Sequence, residues 1–172
     1  MNLFKTLLLS ITFGLFASTS FAQSTDVSID FSANGLTVNE IPIMNFTTMD
    51  ILKKSLGEPS KSVDYPSGET GKFYDDLGIV IFTLDNVVKG VGVNLNWDED
   101  EKFPEQSLKG ELLIGGTAIG KDATSETCSS IEELEFNCPV PSICVAANRT
   151  ETIKCMVAFA EDIITQVVFF MD

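Results

Sequence analysis

The amino-acid sequence predicts an α+β fold, a predominantly antiparallel sheet with two helices, built from a strand-strand-helix-strands unit used twice. Three observations lead there. Apolar residues alternate with period two along much of the chain, as in Val27-Ser28-Ile29-Asp30-Phe31, which puts one side of a strand in a core and the other outside it. Two short stretches carry helix-start signals instead. The order of these elements in the first half then recurs in the second.

In chain order, residues 1–22 read as a secretory signal peptide. Lys5 supplies a positive start, Leu7 to Phe16 a short apolar stretch, and Ser20-Phe21-Ala22 small residues where a signal peptidase reads, so cleavage is expected before Gln23. The apolar run is too short to cross a bilayer, and no later stretch reaches the roughly 18 apolar residues a spanning helix needs. No Cys follows the run, so no lipid anchor is expected. The expected location is the periplasm.

Val27 to Phe31 and Leu36 to Ile43 look like a hairpin turned at Ala33-Asn34-Gly35. A helix is expected over Thr48 to Leu56, with Thr47 as N-cap, Asp50 three residues on, and Gly57 with Pro59 as its stop. Met49, Leu52 and Leu56 share one face of it. Strand-like runs follow at Lys61 to Tyr65, Gly71 to Tyr74 and Ile79 to Leu84, and Asp85-Asn86 turns the chain into Val87 to Leu95.

The second half repeats the pattern. Leu112-Leu113-Ile114 and Ala118-Ile119 match Leu36 to Val38 and Pro42-Ile43 at an offset of 76. Val157, Phe159, Asp162, Ile164, Val168 and Phe170 match Val80, Phe82, Asp85, Val87, Val91 and Val93 at an offset of 77. Ser129 and Ser130, three residues before Glu132 and Glu133, mark a second helix start. Residues 23–172 are therefore expected to form a single acidic domain of two pseudo-repeats, about 24–97 and 108–172, packed most simply as one antiparallel sheet with both helices on one face. Trp97 to Lys109, with four consecutive acids and a Pro, reads as a solvated linker.

The chain has 25 acidic and 11 basic residues and no His, a formal charge of −14. Removing the first 22 residues, which carry one Lys and no acid, would leave 150 residues at −15. Such a surface repels nucleic acid and anionic lipid and attracts a basic partner. Cys128, Cys138, Cys144 and Cys155 all fall in the last third. In an exported chain an even count favours two disulfides. Of the three pairings, Cys138–Cys144 closing the Pro-Val-Pro loop, with Cys128–Cys155 around it, is favoured, but spacing alone leaves the choice open.

No catalytic residue, metal site or cofactor is assigned. Without His, the Ser-His-Asp and Cys-His nucleophilic arrangements have no base, and the usual zinc hydrolase ligand sets are incomplete. A single Arg (Arg149) and the absence of a G-x-x-x-x-G-K-[ST] loop argue against phosphoryl transfer. Gly115-Gly116 is read as a hairpin bend, and Asp75-Asp76 and Glu161-Asp162 as turn residues. The run Asp98-Glu99-Asp100-Glu101 lacks the Gly and distant Glu of a calcium loop. Its flanking aromatics, Trp97 and Phe103, suit a surface that clamps a basic protein, so Trp97, Asp98, Glu99, Asp100, Glu101 and Phe103 are the candidate partner-binding residues. Glu132-Glu133-Glu135 is a weaker candidate.

The stretch Leu56-Gly57-Glu58-Pro59, Tyr65 to Thr70 (YPSGET) and Tyr74 to Ile79 (YDDLGI) resembles a domain of unknown function found in small exported bacterial proteins, some of them toxin-immunity proteins. A helix ending in L-G-x-P before a Y-x-D-L-G-I strand is also similar to periplasmic modules of the SmpA and beta-lactamase-inhibitor-like group, although the lipid-attachment Cys of its lipoprotein members is missing here. The signal peptide, strong acidity, disulfides, small size and absent catalytic machinery together point to a periplasmic immunity or inhibitor protein, and the first resemblance supports that expectation. Such a protein would be no enzyme, and its partner would be a cognate, basic protein toxin. The alternatives are an envelope-assembly module that binds proteins through sheet edges and, third, a carboxylate-based enzyme.

Overall fold

Alternating strands form two sheets in the computed structural model, which describes residues 26–171; the expected signal peptide lies outside the described residues. The first half runs β1 (Val27–Ser32), β2 (Gly35–Val38), β3 (Ile41–Ile43), α1 (Met49–Leu56), β4 (Lys61–Asp64), β5 (Thr70–Tyr74), a 3₁₀ turn at Asp75–Leu77, β6 (Ile79–Leu84) and β7 (Val87–Asn94). The second runs β8 (Gly110–Ile114), β9 (Thr117–Ala118), α2 (Ser125–Ser129), β10 (Asn137–Val140), β11 (Ile143–Ala147), β12 (Ile153–Ala160) and β13 (Ile163–Met171). This is the α+β fold with two helices and mostly antiparallel strands that the sequence predicts.

The strands divide into a five-stranded sheet, β3-β2-β1-β8-β9, and an eight-stranded sheet, β10-β11-β12-β13-β7-β6-β5-β4. The single sheet expected from the sequence is thus corrected to two. Period-two alternation says that one side of a strand is buried but not which sheet it joins. One pairing is parallel, β1 with β8, Val27 opposite Gly110 through Phe31 opposite Ile114.

The eight-stranded order is symmetric about the antiparallel contact of β7 with β13, which is consistent with a duplicated unit. The turns carry the same message. Asn39 and Glu40 adopt positive φ (48° and 64°) between β2 and β3, and Gly115 and Gly116 do so (54° and 72°) between β8 and β9. Asp85-Asn86 (50° and 66°) and Glu161-Asp162 (53° and 64°) do the same before β7 and β13. Two successive positive φ values make the hairpin turn that follows the twist of its strands. Each pair in the second half stands 76 residues after its counterpart.

The main core lies between the sheets. Phe31, Leu36, Leu112 and Ile114 face Ile81, Val91, Val167 and Phe169, and all are buried in one cluster. Phe31 and Phe169 meet across the gap with ring centroids 5.2 Å apart. Helix α1 adds Met49, Leu52 and Leu56, each at most 2% exposed, so the spacing that predicts the helix also supplies its buried face. Full burial of each such side chain stabilises by about 1.5–3 kcal/mol.

The ends of the helices differ from expectation. Thr48, not Thr47, is the N-cap of α1, and it makes no side-chain cap bond. The Thr47 hydroxyl instead accepts from the Met44 N–H and donates to the Pro42 carbonyl, while the Asp50 carboxylate accepts from the Asn86 amide at 3.0 Å. At the other end Gly57, at φ 81°, donates its N–H to the Lys53 carbonyl. Helix α2 begins before Ser129, because Thr124 and Thr127 form a reciprocal capping box there. The Ser129 and Ser130 hydroxyls donate back to the Ser125 and Thr127 carbonyls and sit at the helix end.

Cys138 and Cys144 form the expected inner disulfide across β10 and β11. The expected outer bridge is corrected: Cys128 of α2 and Cys155 of β12 are separate, fully buried thiols. They fill the core as small hydrophobes between helix and strand. Burial pushes the Cys128 thiol up to about 11. It raises Cys155 as well, with the nearby Cys128 adding to the effect.

Candidate binding surface on the outer face of the large sheet

β6 and β13 carry apolar side chains on both faces, and β7 presents glycines to the outer one. Ile79, Ile81, Val91, Val93, Val167 and Phe169 point into the main core. On the outer face, Phe73, Val80 and Val168 form a second, smaller cluster, flanked by Phe82 and Met156. The segment between the halves, residues 95–109, closes over this cluster. Its anchor is Phe103, 6% exposed.

Gly92 explains how Phe103 lies flat on the sheet. A Cβ there would stand 2.7 Å from Val80 Cγ1 and 3.0 Å from Phe103 Cε1, so only glycine leaves room for the ring. The rest of the segment is tied by its backbone. The Asn94 amide donates to the Glu105 and Gln106 carbonyls, the Leu108 N–H donates to Asn94 O at 2.7 Å, and the Lys109 N–H donates to Leu77 O at 3.0 Å. Gly78, at φ 71°, lies against Ser107 and Leu108 so closely that a side chain would collide with their backbone. The segment has no regular structure, as expected of a linker, but it is fastened over a hydrophobic patch and Pro104 is buried.

The six candidate partner-binding residues therefore separate. Phe103 is a buried anchor. Trp97 is 39% exposed, beside the acids and only partly folded onto the protein. Asp98 accepts from the Gln166 side-chain amide and from the Asp100 N–H at 3.3 Å. Asp100 accepts from the Lys102 N–H at 3.0 Å. These two carboxylates shape the loop by bonding the backbone two residues on. Glu99, at φ 73°, and Glu101 are exposed. Of the weaker candidates, Glu132, Glu133 and Glu135 are all exposed, and Glu133 also accepts from the Ala33 N–H at 3.0 Å. Asp75 accepts from the Ser60 hydroxyl at 2.6 Å, and Asp162 from the Ser125 hydroxyl at 2.6 Å. Both turn carboxylates have structural bonds.

Beside the loop, the outer face is uncovered and a cavity of about 470 Å³ remains. Its floor is Phe82, Gly90, Met156, Ala158, Val168 and Phe170. Asp100, Lys102 and Phe103 form one wall, and the β4–β5 turn with Tyr65 and Glu69 forms the other. Lys89 reaches it from a bulge in β7, where Phe82 faces Gly90 but Thr83 faces Val88. Tyr65 packs on Phe82, centroids 6.2 Å apart. Its hydroxyl is buried with no hydrogen-bond partner, and burial, then the Asp100 charge, raises its pKa.

Neither cavity nor second cluster was among the sequence candidates. The signal was present: IVIF (79–82) and VVFF (167–170) are continuous apolar runs, which mark strands covered on both faces. Among the described residues, no three His, Cys, Asp or Glu side chains gather as for a metal ion, and no helix is long and apolar enough to cross a membrane.

Fold and surface together define an α+β chain with two sheets, one of whose outer faces is half covered by an acidic loop. The chain belongs to the family described as Domain of unknown function (DUF7738), whose model matches residues 28–129, more than half of the chain. The match spans the five-stranded sheet from Ser28 on, both helices and β4 to β7. Comparisons with curated proteins and with solved structures find no match.

Proposed function

We propose that this protein is an exported, non-catalytic immunity or inhibitor protein that neutralises a cognate, basic antibacterial toxin by binding it. The observation that supports this most directly is the loop at residues 97–103: a half-exposed Trp beside four acids, held in shape by a buried Phe103 and by the Asp98–Gln166 bond. Preorganisation of this kind reduces the ordering cost of binding. The exposed acids would steer a basic partner to the surface, and Trp97 would supply the apolar contact that holds it.

The exposed outer strands favour one alternative. β4 and β10 are exposed along their whole length at the two edges of the large sheet, where an envelope-assembly module could take up a partner strand. Salt separates the readings, because steered association slows as salt is added and strand addition does not.

The test is capture on the immobilised protein from envelope and secreted fractions of its source, at low and high salt. The captured protein is then expressed in the periplasm of a test strain with and without this chain. Recovery of a basic protein whose toxicity this chain relieves, and whose capture weakens with salt and in Trp97→Ala, is the expected result. Capture indifferent to both, or a captured protein with no toxicity to relieve, would overturn the reading.

A further inference from the structure

We propose that the cavity on the outer face of the large sheet binds a monomeric amphiphile with one apolar chain and an anionic head group. The volume of about 470 Å³ falls within the roughly 300–1,000 Å³ usual for small-molecule sites. Its floor offers an apolar chain Phe82, Met156, Val168 and Phe170, with Gly90 and Ala158 keeping it deep. The walls are preformed, since Phe103 is buried in the second cluster.

Charge argues for the head group. In a chain of 25 acids to 11 basic residues, the cavity gathers two ammonium groups. Lys53 and Lys61 have carboxylate partners at 2.7 Å and 3.9 Å. Lys89 and Lys102, the two cations lining the cavity, have none among the described residues. Two carboxylates share the walls, Glu69 accepting from the Ser67 hydroxyl at 3.1 Å and Asp100 from the Lys102 N–H, so the head group is seated on the two ammonium groups and not on the rim as a whole. The Tyr65 hydroxyl, buried without a partner on the same wall, is a donor that an anionic oxygen would satisfy. A carboxylate or a phosphate meets these requirements equally well, so the shared chemistry is an anion on an apolar tail.

The test is titration calorimetry of the purified protein below the micelle concentration of each probe. The probes are octanoate, decanoate and dodecanoate, with dodecyl phosphate for the other head group and dodecyltrimethylammonium as the cationic control. Binding should tighten about fourfold for each methylene added. The cation should bind at least about tenfold more weakly than dodecanoate, because it meets both lysines. Lys89→Glu and Lys102→Glu should each weaken dodecanoate about tenfold, Ala158→Phe should abolish its binding, and Trp97→Ala should leave it unchanged, which separates this site from the loop's protein contact. Tighter binding of either anion supports the proposal, and their ratio assigns the head group. Absence of saturable binding, no dependence on chain length, or equal affinity for the cation would overturn it. So would adsorption to phosphatidylglycerol vesicles without binding of monomeric dodecanoate. The chain-length and head-group series use the unaltered protein and decide the matter even if Ala158→Phe does not fold.

Discussion

The two faces of the eight-stranded sheet are made by the same strands and serve different ends. On the inner face, side chains meet a second sheet and a helix, and aliphatic and aromatic residues close the space completely. On the outer face no second layer lies among the described residues. One small cluster, one loop and one turn cover part of it, and lysines and acids stand beside exposed apolar floor. A strand that is apolar on both sides can therefore fold the protein with one set of residues and present a surface with the next.

Neighbouring residues of β13 give the sharpest contrast. Phe169 is fully buried against Phe31, whereas Phe170 is 41% exposed. Phe169→Ala should cost about 3–5 kcal/mol in urea unfolding, and Phe170→Ala less than about 1 kcal/mol. Equal losses would mean that the outer face is as much a core as the inner one.

Phe103→Ala should cost about 2 kcal/mol and raise amide exchange selectively over residues 97–108, since it removes the anchor of that segment. Reduction of Cys138–Cys144, which closes a separation of only six residues, should also cost about 2 kcal/mol, the loop-entropy value for so short a closure. The two buried thiols add a pH dependence. Because burial raises Cys128 from its ordinary 9.0 to about 11, the folded state holds a proton that the unfolded state releases first. Stability should be fully present below pH 9 and fall as pH rises towards 11, a fall that Cys128→Ala would shrink. Trp97→Ala should change stability by no more than about 0.5 kcal/mol while reducing affinity for a captured partner about tenfold or more.

Local features were legible from the sequence because local chemistry decides them. Met49, Leu52 and Leu56 announced α1, Gly57 its end, and Asp85-Asn86 a hairpin. The repetition at 76 residues reappears in the turn dihedrals. Long-range placement was not legible. Nothing in GELLI (110–114) says that it pairs in parallel with VSIDFS (27–32), and Ser129-Ser130 had the composition of a helix start but the bonds of a helix end. At the candidate surface, the acids and Trp97 could be picked out one by one. The cavity could not, because its residues come from six separate stretches of chain, brought together only by sheet order. The six-residue candidate set mixed both kinds: Phe103 proved to be the fastening, and Trp97 the part left in view.

The parallel pairing of β1 with β8 has a consequence in time. Val27 and Gly110 are partners 83 residues apart, and β1 lies between β2 and β8 at the centre of its sheet. A chain delivered from its N-terminus can form the β1–β2 and β6–β7 hairpins early, because those contacts are local. It cannot complete the smaller sheet until the acidic segment and β8 have emerged. The first half therefore waits, with one side of β1 unpaired, for the second to arrive, and residues 95–109 set the length of that wait.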